Sequence, residues 1–149
     1  MASQLPQVNA LLLCDLAFQQ AVTGKWCIIG TFSVIWVREF PAVHSPLVAF
    51  VSLSDFTGNA MVQLTIRDPA GEHVISVRGQ IPQLPQSLFE LAFIFPPVNL
   101  KEPGSYSIEL HASGELLTVR SFRVEKHNFP NMPFPGGPTP DQPQPPSEG

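Results

Sequence analysis

The chain predicts an all-β, immunoglobulin-like sandwich of seven or eight antiparallel strands. Three observations carry that expectation. Short runs alternate between apolar and polar residues with period 2, as half-buried strands do. Proline and glycine turn signals separate them, and no run has a sustained helical period. Finally, Glu102 to Val124 (EPGSYSIELHASGELLTVRSFRV) reads as a closing β-hairpin. Pro103-Gly104 makes its corner, Tyr106, Ile108 and Leu110 alternate with polar neighbours, and Ser113-Gly114 supplies the left-handed residue that a tight reversal needs. A tyrosine two residues beyond a Pro-Gly corner matches the position whose hydroxyl pins such a corner to upstream backbone.

In chain order, residues 1–7 form a polar lead. Asn9 to Cys14 reads as a first strand and Leu16 to Val22 as an extended segment, followed by a turn at Thr23-Gly24-Lys25. Trp26 to Val37 (WCIIGTFSVIWV) is the longest strand expected, with Trp26, Ile28, Phe32, Val34 and Trp36 on one face. Both of its tryptophans are assigned to the core, and Gly30 to a bulge or a close approach of another segment. The prolines of Phe40 to Pro46 make a rigid connector, since each keeps its predecessor extended.

Leu47 to Leu53 is a strand and Asp55 to Asn59 a loop. Met61 to Arg67 and His73 to Gly79 form a hairpin around the turn Asp68-Pro69-Ala70-Gly71. Ile81 to Gln86 is expected to cross between sheets. Leu88 to Phe95 is a strand that Pro96-Pro97 ends, and Val98 to Leu100 leads into the closing hairpin. In its last strand Leu117 and Val119 fit one phase and Phe122 and Val124 the other, which predicts a β-bulge near Arg120-Ser121.

These assignments place the folded domain at residues 8–126. Residues 127–149 are expected to form a disordered, proline-rich tail. Eight of the seventeen prolines fall there, and it carries no Lys or Arg to accompany its P-x-x-P spacings.

The 149 residues suffice for one domain with a real core. Charged residues are 13% and the formal net charge is −4, with eight Lys and Arg scattered along the chain. Nucleic acid calls for clustered cations, so it is not expected as a partner. No apolar run reaches the length of a membrane span. No export signal precedes the short apolar run at Asn9 to Phe18, and Leu13 before Cys14 is too large for a lipoprotein cleavage site. Cys14 and Cys27, both in apolar segments, are read as free thiols of a cytoplasmic protein.

The search for chemistry yields little. The four histidines are isolated: His44 on a loop, His73 and His111 on strands facing solvent, and His127 beyond the last strand. None lies at a metal-ligand spacing from another His or a Cys. The Asp55 to Asn59 loop lacks the dense acidic pattern of calcium loops. No nucleophile elbow, phosphate loop or dinucleotide fingerprint occurs. The chain is therefore expected not to be an enzyme, with no catalytic, cofactor-binding or metal residue and no cofactor. A site pairing Asp15 with a histidine is the third-ranked reading. The first is a non-catalytic module for protein interaction or self-association, or a structural role. The second is a small-ligand or carbohydrate-binding domain, for which an exposed Trp26 or Trp36 beside carboxylates or amides would speak.

Several short motifs, in order, resemble an uncharacterised bacterial domain-of-unknown-function family. They are Leu12-Leu13-Cys14-Asp15, Thr23-Gly24-Lys25, Ile29-Gly30-Thr31-Phe32 and Phe40-Pro41-Ala42-Val43-His44. Asp68-Pro69-Ala70-Gly71-Glu72 and Pro103-Gly104-Ser105-Tyr106 complete the set. The resemblance implies a bacterial, single-domain β-sandwich and no activity.

Overall fold

The computed structural model describes residues 4–82 and 88–127. Residues 128–149 of the expected tail, and 83–86 of the crossover expected at Ile81 to Gln86, lie outside the described residues. Among the described residues there is no helix, and strands occupy most of the chain. The first are β1 (Gln7–Cys14), β2 (Leu16–Gln19), β3 (Trp26–Ile29) and β4 (Val34–Val37). They are followed by β5 (Ala42–His44), β6 (Val48–Ser54), β7 (Ala60–Arg67) and β8 (His73–Ile81). The last are β9 (Leu88–Ile94), β10 (Val98–Leu100), β11 (Gly104–Ala112) and β12 (Glu115–Lys126). That is twelve segments instead of seven or eight. The excess arises because one expected strand is broken, and because the Leu16–Val22 segment, the proline connector and the Val98–Leu100 lead-in each carry a short strand.

Two sheets supply the core. One has the order β1-β6-β9 and the other β4-β12-β11-β7-β8. Leu11, Leu13, Ala49, Val51, Leu53 and Phe93 of the first share one buried cluster with Val62, Leu64, Ile66, Ile108, Leu110, Phe122 and Val124 of the second. Two two-stranded pairs, β2-β3 and β5-β10, complete the architecture. Not every pairing is antiparallel as expected: β4 runs parallel to β12, with Val34 opposite Arg123 and Val37 opposite Lys126.

The hairpin turns follow their sequence. Gly71 N–H donates to the Asp68 carbonyl (2.9 Å). The Asp68 carboxylate accepts from the amides of Ala70 and Glu72, which is why Asp is favoured at the first position of such a turn. At the closing hairpin, Ser113 and Gly114 both have positive φ. Tyr106 is 1% exposed. Its hydroxyl donates to the Glu102 carbonyl (2.7 Å), and its ring stacks on Phe122 at 5.6 Å. Burial pushes its phenol above the ordinary range, against the lowering effect of the Glu102 bond.

Three expectations are corrected. The twelve-residue strand Trp26–Val37 does not exist as one element. Gly30, at φ 71°, turns the chain between β3 and β4, so the apolar run is shared between a surface ribbon and a sheet edge. Trp36, assigned to the core, is 42% exposed. It alternates with buried Ile35 and Val37 and therefore faces outward.

The third correction concerns the bulge. Pairing is regular through Arg120, Ser121 and Phe122. The irregularity lies earlier: Leu110 faces Thr118 and His111 faces Leu116, leaving Leu117 as the extra residue. The bulge turns Leu117 onto the core, and Val119 stays exposed. Regular alternation then puts Arg120 on the same face as Phe122. Its guanidinium donates to the Leu11 carbonyl of β1 (2.7 Å), tying the two main sheets together. Arg120→Met keeps the apolar stem but deletes a charge-assisted bond. It should lower unfolding free energy by about 1.5–3 kcal/mol, read from denaturant midpoints. An unchanged midpoint would show the bond to be idle.

Candidate functional site

The unusual part of the molecule is the β2-β3 ribbon. β6 is buried along both faces from Val48 to Leu53. Ala49, Val51 and Leu53 point into the main core. Val48, Phe50 and Ser52 point the other way, yet they too are buried. The ribbon accounts for this. Trp26 of β3 lies against Phe50, ring centroids 5.2 Å apart, while the Cys14 thiol beneath donates to the Val48 carbonyl (3.6 Å).

The ribbon pairs Leu16 with Ile29, Ala17 with Ile28, Phe18 with Cys27 and Gln19 with Trp26. Side chains alternate across a strand, so Ala17, Gln19, Trp26 and Ile28 share the inner face. Leu16, Phe18, Cys27 and Ile29 make up the outer one. Leu16 is 49%, Phe18 43% and Ile29 52% exposed. At the far end, Gln20 N–H donates to the Lys25 carbonyl and Gly24 N–H to the Gln20 carbonyl, with Gly24 at φ 68° and Val22 fully in solvent.

The ribbon's base is clasped. It leaves the sheet at Asp15 and returns at Gly30. Asp15 N–H is shared between the Ile29 and Gly30 carbonyls (3.2 Å each), and Phe32 N–H donates to the Leu13 carbonyl (3.2 Å). A Cβ on Gly30 would lie 2.6 Å from Asp15 Oδ2, so glycine is required there for the close approach as well as for its φ. The Phe32 ring meets His44 edge-on at 5.9 Å.

His44 is not on a free loop. It belongs to β5, opposite Val98 of β10, and its Nε2 is buried without a hydrogen-bond partner among the described residues. Burial lowers its pKa below the ordinary imidazole value, while the Asp15 carboxylate and a hydrogen bond to the Pro46 backbone act in the opposite direction. Three of the sequence motifs thus meet at one place, through Asp15, Gly30 with Phe32, and His44. Two others meet elsewhere, where a Cβ on Gly104 would lie 2.9 Å from Pro69 Cγ.

The Asp15 region does not assemble an activated nucleophile. Burial, and then the Asp15 charge, push the Cys14 thiol up, which keeps it protonated at neutral pH. Cys14 and Cys27 are both free thiols.

The remaining polar residues fall mainly on the outer face of the five-stranded sheet. His73 Nε2 meets Ser76 Oγ (2.8 Å), Ser76 meets Thr65 (2.9 Å), and Gln63 donates to Thr65 (3.2 Å). Arg67 pairs with Glu109 (3.0 Å), whose second oxygen lies 4.0 Å from His111 Nε2. His73 is exposed as expected. His111 is half-buried instead, with Nδ1 buried and unpartnered among the described residues.

Trp36 stands beside Glu125, its register neighbour on β12, and its ring meets His127 edge-on at 6.3 Å. Among the described residues no three His, Cys, Asp or Glu side chains are grouped to hold a metal ion, and no helix is long and apolar enough to cross a membrane.

A family model of unknown function, DUF6941, matches residues 9–125, from early in β1 to the penultimate residue of β12. The chain belongs to that family. This agrees with the resemblance read from the motifs. No curated protein matches the chain. The family's matched span contains both the clasped base and the tyrosine corner.

The outer face of the ribbon escaped the sequence reading. Leu16 and Phe18 already alternate with Ala17 and Gln19, but their face becomes a surface feature only once Cys27 and Ile29 are known to lie opposite.

Proposed function

We propose that this domain is a non-catalytic protein-interaction module, an immunoglobulin-like sandwich from a bacterial cytoplasmic protein that binds through the outer face of its β2-β3 ribbon. The observation that carries the reading is the apolar stripe of Leu16, Phe18, Cys27 and Ile29 on a two-stranded element that already rests on the sheet by its other face. Exposed apolar area gathered on one element marks association surfaces more than scattered residues do. The immunoglobulin-like character is supported by two sheets around one core and by the tyrosine corner. A reducing compartment is supported by two unpaired thiols.

The test is light scattering of the purified chain across concentration, with Leu16→Glu/Phe18→Glu as the comparison. The parent should associate, with itself or with an added partner, and the double variant should weaken that association at least about tenfold, since each charge would have to be desolvated in the contact. A parent that stays monomeric at every concentration and recovers no partner in pull-downs would remove the reading.

A second reading has its own observation. Trp36 is exposed, its ring meets His127, and its register neighbour on β12 is Glu125, whose carboxylate pairs with Arg123 (2.6 Å). That composition suits a carbohydrate, whose apolar ring face stacks on the indole while its hydroxyls donate to the carboxylate. A glycan array that returns nothing with the parent, or the same hits with Trp36→Ala, would eliminate it.

A further inference from the structure

We infer that His44 is a pH-sensitive latch for the β2-β3 ribbon: protonating it loosens the ribbon's base and lifts Trp26 from Phe50. This supplies a form of regulation for the surface proposed above and rests on that reading only for its consequence, not for the latch itself.

His44 contacts one root of the ribbon and feels the charge of the other. Its ring lies against Phe32, just after the returning strand, and it sits in the field of Asp15, just before the outgoing one. No second charge bears on it among the described residues: β10 presents Val98, Asn99 and Leu100, and Asp15 is the charged group that acts on the ring. One ring nitrogen serves the Pro46 carbonyl. The other, Nε2, is buried and faces no acceptor among the described residues.

A neutral imidazole can leave Nε2 as an unused acceptor at modest cost. An imidazolium must place an N–H there, which costs the desolvation of an unpaired charged donor. Taking up the proton with the latch closed is therefore disfavoured. The ring must turn toward solvent or toward Asp15. The first movement removes the support of Phe32. The second pulls the Asp15 carboxylate from its position against Gly30. Either movement strains the shared bond from Asp15 N–H to the Ile29 and Gly30 carbonyls, which anchors the ribbon.

The sign follows from linkage. The folded-state pKa of His44 is lowered from its ordinary 6.5, so below that pH the opened or unfolded chain binds more protons than the closed one. The closed form keeps its full stability above about pH 6.5 and loses it as pH falls toward the depressed value.

Trp26 reports on the latch directly. Replacing the chain's other tryptophan (Trp36→Phe) leaves Trp26 as the sole indole, and acrylamide quenching of its fluorescence is followed from pH 8 to pH 5 in dilute protein. The quenching constant should roughly double as pH falls, as expected of a local opening. The near-ultraviolet circular dichroism of the main core should persist. His44→Phe should make quenching independent of pH. If that variant does not fold, Asp15→Asn keeps the histidine but removes the charge that raises the closed form's proton affinity, so the gap to the open form widens and the midpoint should move to higher pH.

Quenching that is flat in the parent, equally pH-dependent in His44→Phe, or unmoved in Asp15→Asn would overturn the inference. Light scattering on the same samples separates the two readings. A pH-responsive Trp26 in a chain that never associates would retain the latch and discard the interaction surface.

Discussion

Tyr106→Ala should destabilise the domain by about 3–5 kcal/mol, the range for removing a large buried ring without refilling its space. The ring is 1% exposed and stacks on Phe122, so the cavity would open in the middle of the five-stranded sheet. Tyr106→Phe separates the contributions. It keeps the stack and deletes the bond to the Glu102 carbonyl, leaving that acceptor at a rim where water can replace the hydroxyl. A loss of about 1 kcal/mol is expected. Chemical denaturation of both variants checks the pair. If Tyr106→Phe costs as much as Tyr106→Ala, the hydroxyl and not the ring holds the corner.

Gly30→Ala should cost clearly more than Gly24→Ala, although both glycines have nearly the same φ, 71° and 68°. Both substitutions carry the left-handed penalty of about 1–2 kcal/mol. A Cβ on Gly24 would meet nothing within 4 Å. On Gly30 it would meet Asp15 Oδ2 at 2.6 Å, Cγ at 3.0 Å and Cβ at 3.2 Å. The whole short side chain must move, not merely its tip. We expect a further 1–2 kcal/mol, typical of overpacking. Shortening Asp15 to Ala in the Gly30→Ala background should restore that increment and nothing more, measured as a double-mutant cycle. A zero coupling energy would mean that the two residues do not press on each other.

The parts of the fold that local chemistry dictates could be read in advance. Asp68-Pro69-Ala70-Gly71 makes its own turn through backbone and carboxylate bonds. Tyr106 declares its corner because the Pro-Gly bend and the aromatic lie within four residues of one another. The errors have a different origin. Trp26 to Val37 is continuously apolar, and nothing within the run shows that Gly30 turns away to accommodate Asp15, fifteen positions earlier. The phase slip in the last strand was visible, but its location depends on which residue β11 leaves unmatched, and that made Leu117 the bulge. The two prolines that flank His44 point to a loop. Its pairing with β10 brings in Val98, more than fifty residues away.

The candidate site was therefore present in the sequence as separate words: Asp15, Gly30, Phe32 and His44. It became a site only through contacts between elements.

The parallel register of β4 with β12 has a kinetic implication. Val34 finds its partner, Arg123, only after nearly the whole domain has been threaded between them. Such distant contacts make closure slow. A chain emerging from the ribosome could settle the β7-β8 hairpin early, but the flank of the larger sheet would stay open until the final strand arrives. Shortening the chain within β12 should therefore leave a partly built, aggregation-prone species.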